Sequence, residues 1–191
     1  MNPPLDPIPL LISLIRHPSV SVVSNLAITD AVADTLVQLG FELCRCDYTD
    51  ESGIQKSNLV ATRMPPSQDG ATLDSSQYPG VAYFAHTDVV PVESWDGPGG
   101  AFDPTIIDGR IYGRGSCDMK GSLVAMIVAT SMIDPQKQVA PIRIICTADE
   151  ETGFMGAKHL VDVCPVYRQM VQSQPLAIIG EPTLCKIVHA H

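Results

Sequence analysis

Positive charge is scarce in this chain. Its 191 residues carry 12 Lys and Arg against 21 Asp and Glu, a formal charge of -9. The basic footprint that neutralises phosphates is missing, which argues against nucleic-acid binding. A secretory leader is not expected either: no basic region precedes the apolar patch near the N-terminus, Pro3, Pro4, Pro7 and Pro9 interrupt it, and no small-residue cleavage site follows. No stretch approaches the roughly 18 uninterrupted apolar residues of a membrane span. The six cysteines contain no CxxC pair. Without an export signal the expectation is reduced thiols in a cytoplasmic protein. Cys44-x-Cys46 could in principle touch a metal, but it lies in an alternating, strand-like stretch and reads first as structural. Charged residues of all kinds make up only 17% of the chain and hydrophobic ones 45%, the balance of a packed domain with its own core.

The apolar residues fall into two periodicities. A short helix is expected from about Asp6 to Arg16, ended by His17-Pro18. A second is expected after Asn25 as N-cap, with Ile28, Val32, Leu36 and Leu39 as its stripe and Gly40 as its stop. Strands are expected over Phe41 to Tyr48 and Asn58 to Arg63. Met64 to Pro79 is rich in Pro, Ser, Gly and Asp and reads as an exposed loop. Val81 to Ala85, Pro141 to Thr147 and Leu176 to Ile179 are nearly continuous apolar runs, as in strands buried on both faces. Helices are expected from Lys120 to about Ile133, with Leu123, Met126, Ile127 and Thr130 on one face, and from Met155 to Val163. Strands alternating with helices predict an α/β layered fold with a central mixed sheet flanked by helices.

Polar residues gather just past the apolar strands. His86 and Asp88 follow the first run, Glu150 and Glu151 the second, and Glu181 the third. Asp118 sits in the loop Gly113-Arg114-Gly115-Ser116-Cys117-Asp118-Met119-Lys120-Gly121. In open α/β sheets, sites form at the carboxyl ends of the strands, where loops converge on one crevice. One imidazole and several carboxylates so delivered suit a hydrolytic metal site. Zinc takes neutral imidazole and carboxylate ligands and keeps a position for water, and a further free carboxylate accepts that water's proton.

Four segments carry a more specific signal: His86-Thr87-Asp88-Val89-Val90-Pro91, Tyr112 to Gly121, Thr147-Ala148-Asp149-Glu150-Glu151-Thr152-Gly153, and Gly180-Glu181-Pro182-Thr183. In this order they resemble the dinuclear zinc amidohydrolases and peptidases that include acetylornithine deacetylase, succinyl-diaminopimelate desuccinylase, aminoacylase and glutamate carboxypeptidases. The wording around Glu150 and from Ile179 through His191 is most similar to the acetylornithine deacetylases.

The resemblance implies roles. His86 ligates one zinc, and Asp88 accepts a hydrogen bond from its other ring nitrogen, which fixes the tautomer. Asp118 bridges both metals, although an Asp there also suits a helix N-cap. Glu150 is the general base, Glu151 a ligand, and Glu181 a ligand of the second zinc, presented by a turn that Pro182 stiffens. Cobalt or manganese would suit the same donors. Arg114, Lys120 and the glycines around Asp118 read as scaffolding. Trp95, the only Trp, is expected to pack over the loop joining the His86 and Asp118 segments. His17 and His159 read as surface or structural residues, and His189 and His191 as part of a tail rather than ligands.

The implied reaction is hydrolysis of an N-acyl amino acid, N-acetylornithine to ornithine and acetate, a step of arginine biosynthesis. A succinyl-diaminopimelate desuccinylase, a dipeptidase, and a truncated, non-catalytic metal-binding fragment are the alternatives. By the resemblance, a lid and dimerisation domain and a second catalytic part with a late His would follow residue 191. Residues 1–191 are therefore expected to be the N-terminal part of the catalytic domain, incomplete at the C-terminus. They hold four of five expected protein ligands, with an unpaired apolar sheet edge and weak or no activity alone. The full-length family implies a homodimer; for this chain the oligomeric state is left open.

Overall fold

A computed structural model describes residues 3–67 and 73–188. The elements are α1 (Pro7–Ile15), α2 (Leu26–Gln38), β1 (Glu42–Thr49), β2 (Gln55–Arg63), β3 (Val81–His86), β4 (Thr105–Ile107), β5 (Arg110–Tyr112), α3 (Lys120–Ser131), β6 (Ile142–Thr147), α4 (Met155–Val163), α5 (Pro165–Gln172) and β7 (Leu176–Ile179). Five strands form a mixed sheet in the order β1-β2-β6-β3-β7, and β4 and β5 form a separate hairpin. β1, β2 and β6 pair antiparallel, whereas β3 lies parallel to both β6 and β7.

The continuous apolar runs are explained by helices on both faces of the sheet. Leu59, Ala61, Tyr83, Ala85, Ile144 and Cys146 pack with residues of α1, α2 and α3. Their alternates Val60, Ala82 and Ile145 pack with Leu160 of α4 and Met170 of α5. Successive strand side chains point to opposite faces, so a strand covered on both sides loses its polar alternation. The one charge inside β6, Arg143, is 1% exposed. Its guanidinium donates to the carbonyls of Pro79 and Tyr78, at 2.6 and 3.1 Å, which offsets its desolvation.

Several boundaries differ from the sequence reading. β2 begins three residues early, at Gln55, because Lys56, Ser57 and Asn58 are buried polar residues that an apolar pattern does not reveal. Asn25 holds the N-cap position of α2 but makes no capping bond. Its amide instead exchanges hydrogen bonds with the main chain of Ser57 and donates to Thr87 Oγ1, tying α2 to the sheet. Gly40 ends α2 as expected, with φ +81. In α3 the buried stripe takes Val124 in place of Met126. The 64–79 stretch contains a short 3-10 turn, Ser75–Gln77. Its residues 68–72, like His189 and His191, lie outside the described part of the chain. β1 and β7 are the sheet's two edges, and on β7 Leu176 and Ile179 are 69% and 67% exposed. No helix among the described residues is long and apolar enough to cross a membrane.

The topology positions the site. The connection from β3 to β6 runs through α3 on one face, and that from β6 to β7 through α4 and α5 on the other. Chain paths diverge there, and the carboxyl ends of three parallel strands are left facing one crevice.

Candidate metal centre

His86 is the last residue of β3 and is 2% exposed. Its Nδ1 lies 2.9 Å from the main-chain carbonyl of Asp88. A carbonyl only accepts, so Nδ1 carries a proton and Nε2 faces the crevice. Three carboxylates surround Nε2: Asp118 at 3.2 Å, Glu181 at 3.7 Å and Glu150 at 3.9 Å. Burial disfavours the imidazolium, but the charge and carbonyl of Asp88, with Glu181 and Glu150, outweigh it and raise the His86 pKa.

The ring's partner differs from the sequence expectation. The Asp88 carboxylate stands 3.6 Å from Nδ1 and the Asp88 carbonyl takes the closer place. The carboxylate, 1% exposed, instead accepts the Ser21 hydroxyl at 2.6 Å and the backbone N–H groups of Glu150 and Glu151, each at 3.2 Å. Asp88 therefore holds the β6 turn against the β3 turn. Ser21 belongs to a segment that bonds Val89 through Ser21 N–H and Ser19 C=O, and nothing in its sequence advertised that contact.

Asp149 shapes the turn that presents the two glutamates. Its φ is +56, a left-handed conformation that Asp tolerates better than most residues. One carboxylate oxygen takes the Lys56 ammonium at 2.7 Å and the other the Tyr48 hydroxyl at 2.6 Å. Lys56 is fully buried and also donates to the carbonyls of Ser21 and Val23. His159 stacks against Tyr48, ring centroids 4.9 Å apart. Sequence reasoning missed Lys56, Tyr48 and Asp149. The only signal was a Lys inside a stretch that could extend a strand.

Asp118 precedes α3, but the helix takes Met119 as its N-cap residue, and the half-exposed Asp118 side chain turns to His86. The loop before it lines a cleft of about 280 Å³ with Trp95, Tyr112, Arg114, Cys117, Asp118 and Glu151. Trp95 packs in the expected region, with the Arg114 guanidinium 5.5 Å from its ring centroid. Arg114 Nε is a buried nitrogen that no hydrogen bond from the described residues reaches. Lys120, also fully buried, donates to His17 C=O at 2.9 Å, and burial holds its pKa down at about 7.

The structure thus brings His86, Asp88, Asp118, Glu150, Glu151 and Glu181 together. Two sets of donors share the imidazole: His86, Asp118 and Glu181, and His86, Glu150 and Glu151, the ligating atoms of each set lying within 4.8 Å of one another. Glu181 groups with His86 and Asp118, whereas the sequence reading gave it to the other metal. The Glu181 and Glu151 pKa values are raised, first by burial; Asp118 and Glu150 add to both, Glu151 to that of Glu181 and Asp88 to that of Glu151, while His86 opposes each rise. Crowded carboxylates around one outward-facing imidazole nitrogen could hold a cation, with nitrogen and oxygen donors of the kind that zinc, cobalt or manganese accept.

Residues 82–189 match the sequence profile of peptidase family M20/M25/M40. The acetylornithine deacetylase of Myxococcus xanthus is 32% identical over 174 residues, covering 91% of this chain and 41% of that protein. The succinyl-diaminopimelate desuccinylase of Colwellia psychrerythraea is 35% identical over 173 residues, covering 86% and 41%. Human carnosine dipeptidase 1 has the same fold over 91% of this chain and 37% of its own, with a TM-score of 0.69 at 24% identity. The chain spans about two fifths of the length of the curated relatives it matches.

Proposed function

This chain belongs to peptidase family M20/M25/M40, and on that premise we propose that its strand-end cluster is the metal centre of an amidohydrolase acting on N-acyl amino acids. The observation that carries the reading is His86 Nε2, held outward by the Asp88 carbonyl and facing Asp118, Glu181 and Glu150 within 3.9 Å. His86, Asp118 and Glu181 would hold one zinc, and Asp118 with Glu151 would begin the second set. Bound zinc supplies Lewis acidity, polarising an acyl carbonyl and lowering the pKa of water.

The chain's own residues do the rest. Glu150, 27% exposed at the crevice, accepts a proton from the attacking water and delivers it to the departing amine. Asp88 fixes the backbone of Glu150 through its N–H, so that the base stays in register with the ligands. The division of labour between Glu150 as base and Glu151 as ligand follows the resemblance to the family.

N-acetylornithine is the proposed substrate, supported by the names of relatives at 32 to 34% identity. N-succinyl-diaminopimelate is the second reading, supported by relatives at 35%. The chain spans about two fifths of those relatives, so turnover is proposed for the whole protein. Zinc retained after dialysis, and lost in Asp118→Ala, tests the centre. Hydrolysis of the two substrates in parallel, by zinc-loaded protein and by Glu150→Gln, tests the chemistry. Turnover undiminished in Glu150→Gln would refute the assigned base.

A further inference from the structure

Three thiols that the carboxylate centre does not use meet on the α4–α5 face of the sheet. Cys44 and Cys46 stand two residues apart on β1, so both point to that face. Cys164 ends α4 and caps α5, its sulfur accepting the Tyr167 N–H at 3.4 Å. Tertiary structure closes a gap of 120 residues to place Cys44 Sγ 3.9 Å from Cys164 Sγ. The three sulfurs all lie within 4.8 Å of one another.

That spacing is a coordination geometry. In a trigonal three-sulfur site the S···S distance is √3 times the metal–sulfur bond, about 4.0 Å for a bond of about 2.3 Å. The sulfurs therefore need only small movements to enclose an ion. The walls select which one. Val60, Phe84, Leu160, Val166 and Tyr167 pack with the cluster, and among the described residues no carboxylate or imidazole joins it. A hard, strongly hydrated cation finds no oxygen donor there, whereas a soft cation content with thiolates does. Cys46 and Cys164 are buried while Cys44 is half-buried, which leaves an entry path.

We infer that Cys44, Cys46 and Cys164 form a second, all-sulfur metal site, selective for a soft closed-shell cation of the Cu(I) type. Burial pushes the Cys44 and Cys46 thiols up, so these two stay protonated in the free cluster. Binding displaces protons into solvent, and affinity rises with pH.

The test is anaerobic titration of the reduced full chain with Cu(I), in competition with a chromophoric Cu(I) chelator, following the sulfur-to-metal charge-transfer band that oxygen and nitrogen ligands do not give. One Cu(I) per chain is expected in the native sequence and in Cys146→Ser. It is also expected in the Cys117→Ser/Cys185→Ser double variant, which removes the exposed thiols. Cys164→Ser, which keeps a capping side chain for α5, and Cys44→Ser, at a half-buried position on the edge strand, should each weaken binding by more than the roughly 10- to 100-fold that outer-shell changes cost. No band in folded native protein, a band that survives both ligand variants, or a band lost only with Cys117 and Cys185 would each overturn the inference. The last result would mean adventitious binding at exposed sulfur.

Discussion

The Lys56 ammonium lies 2.7 Å from the Asp149 carboxylate, and the two side chains are 0% and 6% exposed. This buried pair stands directly behind Glu150 and Glu151, and Tyr48 completes the Asp149 side. Removing one partner leaves an uncompensated charge in the interior, which typically costs about 3–5 kcal/mol. Lys56→Met should therefore lower the urea midpoint sharply. Lys56→Met/Asp149→Asn should recover part of the loss, because the orphaned charge is gone. If the double variant is no more stable than the single one, the pair is not the source of the effect.

Asp88 is expected to act on metal affinity through geometry. Its carboxylate anchors the amides of both glutamates and the Ser21 hydroxyl. Asp88→Asn keeps the size but turns one oxygen into a donor that faces donors. Zinc affinity should fall about 10- to 100-fold, the range for residues that orient ligands. Calorimetric titration with zinc checks this. Ser21→Ala should show a smaller loss in the same direction.

Metal should stabilise the fold. Without a cation, Asp118, Glu150, Glu151 and Glu181 crowd one imidazole. Manganese(II), a hard ion that avoids thiols, present at about 100 times its Kd should add about 2.7 kcal/mol to unfolding. The rise in Tm should vanish in Asp118→Ala. A rise of equal size in that variant would place the stabilising ion elsewhere.

Lys120 gives the molecule a pH dependence of known sign. Its folded pKa is held near 7, below its ordinary 10.5, by burial. Between those values the unfolded chain binds the extra proton, so stability increases as pH rises through that window, and the penalty is greatest below pH 7. Lys120→Met removes this contribution. The stability difference between variant and native protein should favour the variant most at pH 6 and shrink toward pH 9, as read from denaturant midpoints at each pH.

Gly156 is required for space. A Cβ there would lie 2.2 Å from the Ala148 carbonyl oxygen and 2.7 Å from Asn58 Oδ1. Asn58 accepts the Ala148 N–H and donates to the Gly156 carbonyl, joining β2, the end of β6 and α4. Gly156→Ala gains helix propensity but must displace α4, a net cost of about 1–3 kcal/mol by the general cost of overpacking. A thermal melt shifted upward would contradict the contact.

Much of this protein is legible in its sequence because the informative signals are local. Continuous apolar runs marked β3, β6 and β7, and periodic stripes marked α2 and α3, since a buried strand and an amphipathic helix each impose a short-range pattern. The polar residues past those runs named His86, Asp88, Glu150, Glu151 and Glu181 as candidates, and the glycine-rich loop before α3 named Asp118. Their motif order identified the family.

What the sequence left undecided depends on residues far apart in the chain. The strand order, with β3 between β6 and β7, sets which ends share a crevice. That Glu181 groups with His86 and Asp118, that a carbonyl and not a carboxylate holds the ring, and that Lys56 braces Asp149 are facts of three-dimensional distance. So is the meeting of Cys164 with Cys44 and Cys46. Local pattern reports how much surface each residue must bury; which partner satisfies a buried polar group is chosen only when the chain folds back on itself, because desolvation penalises every donor or acceptor left without one.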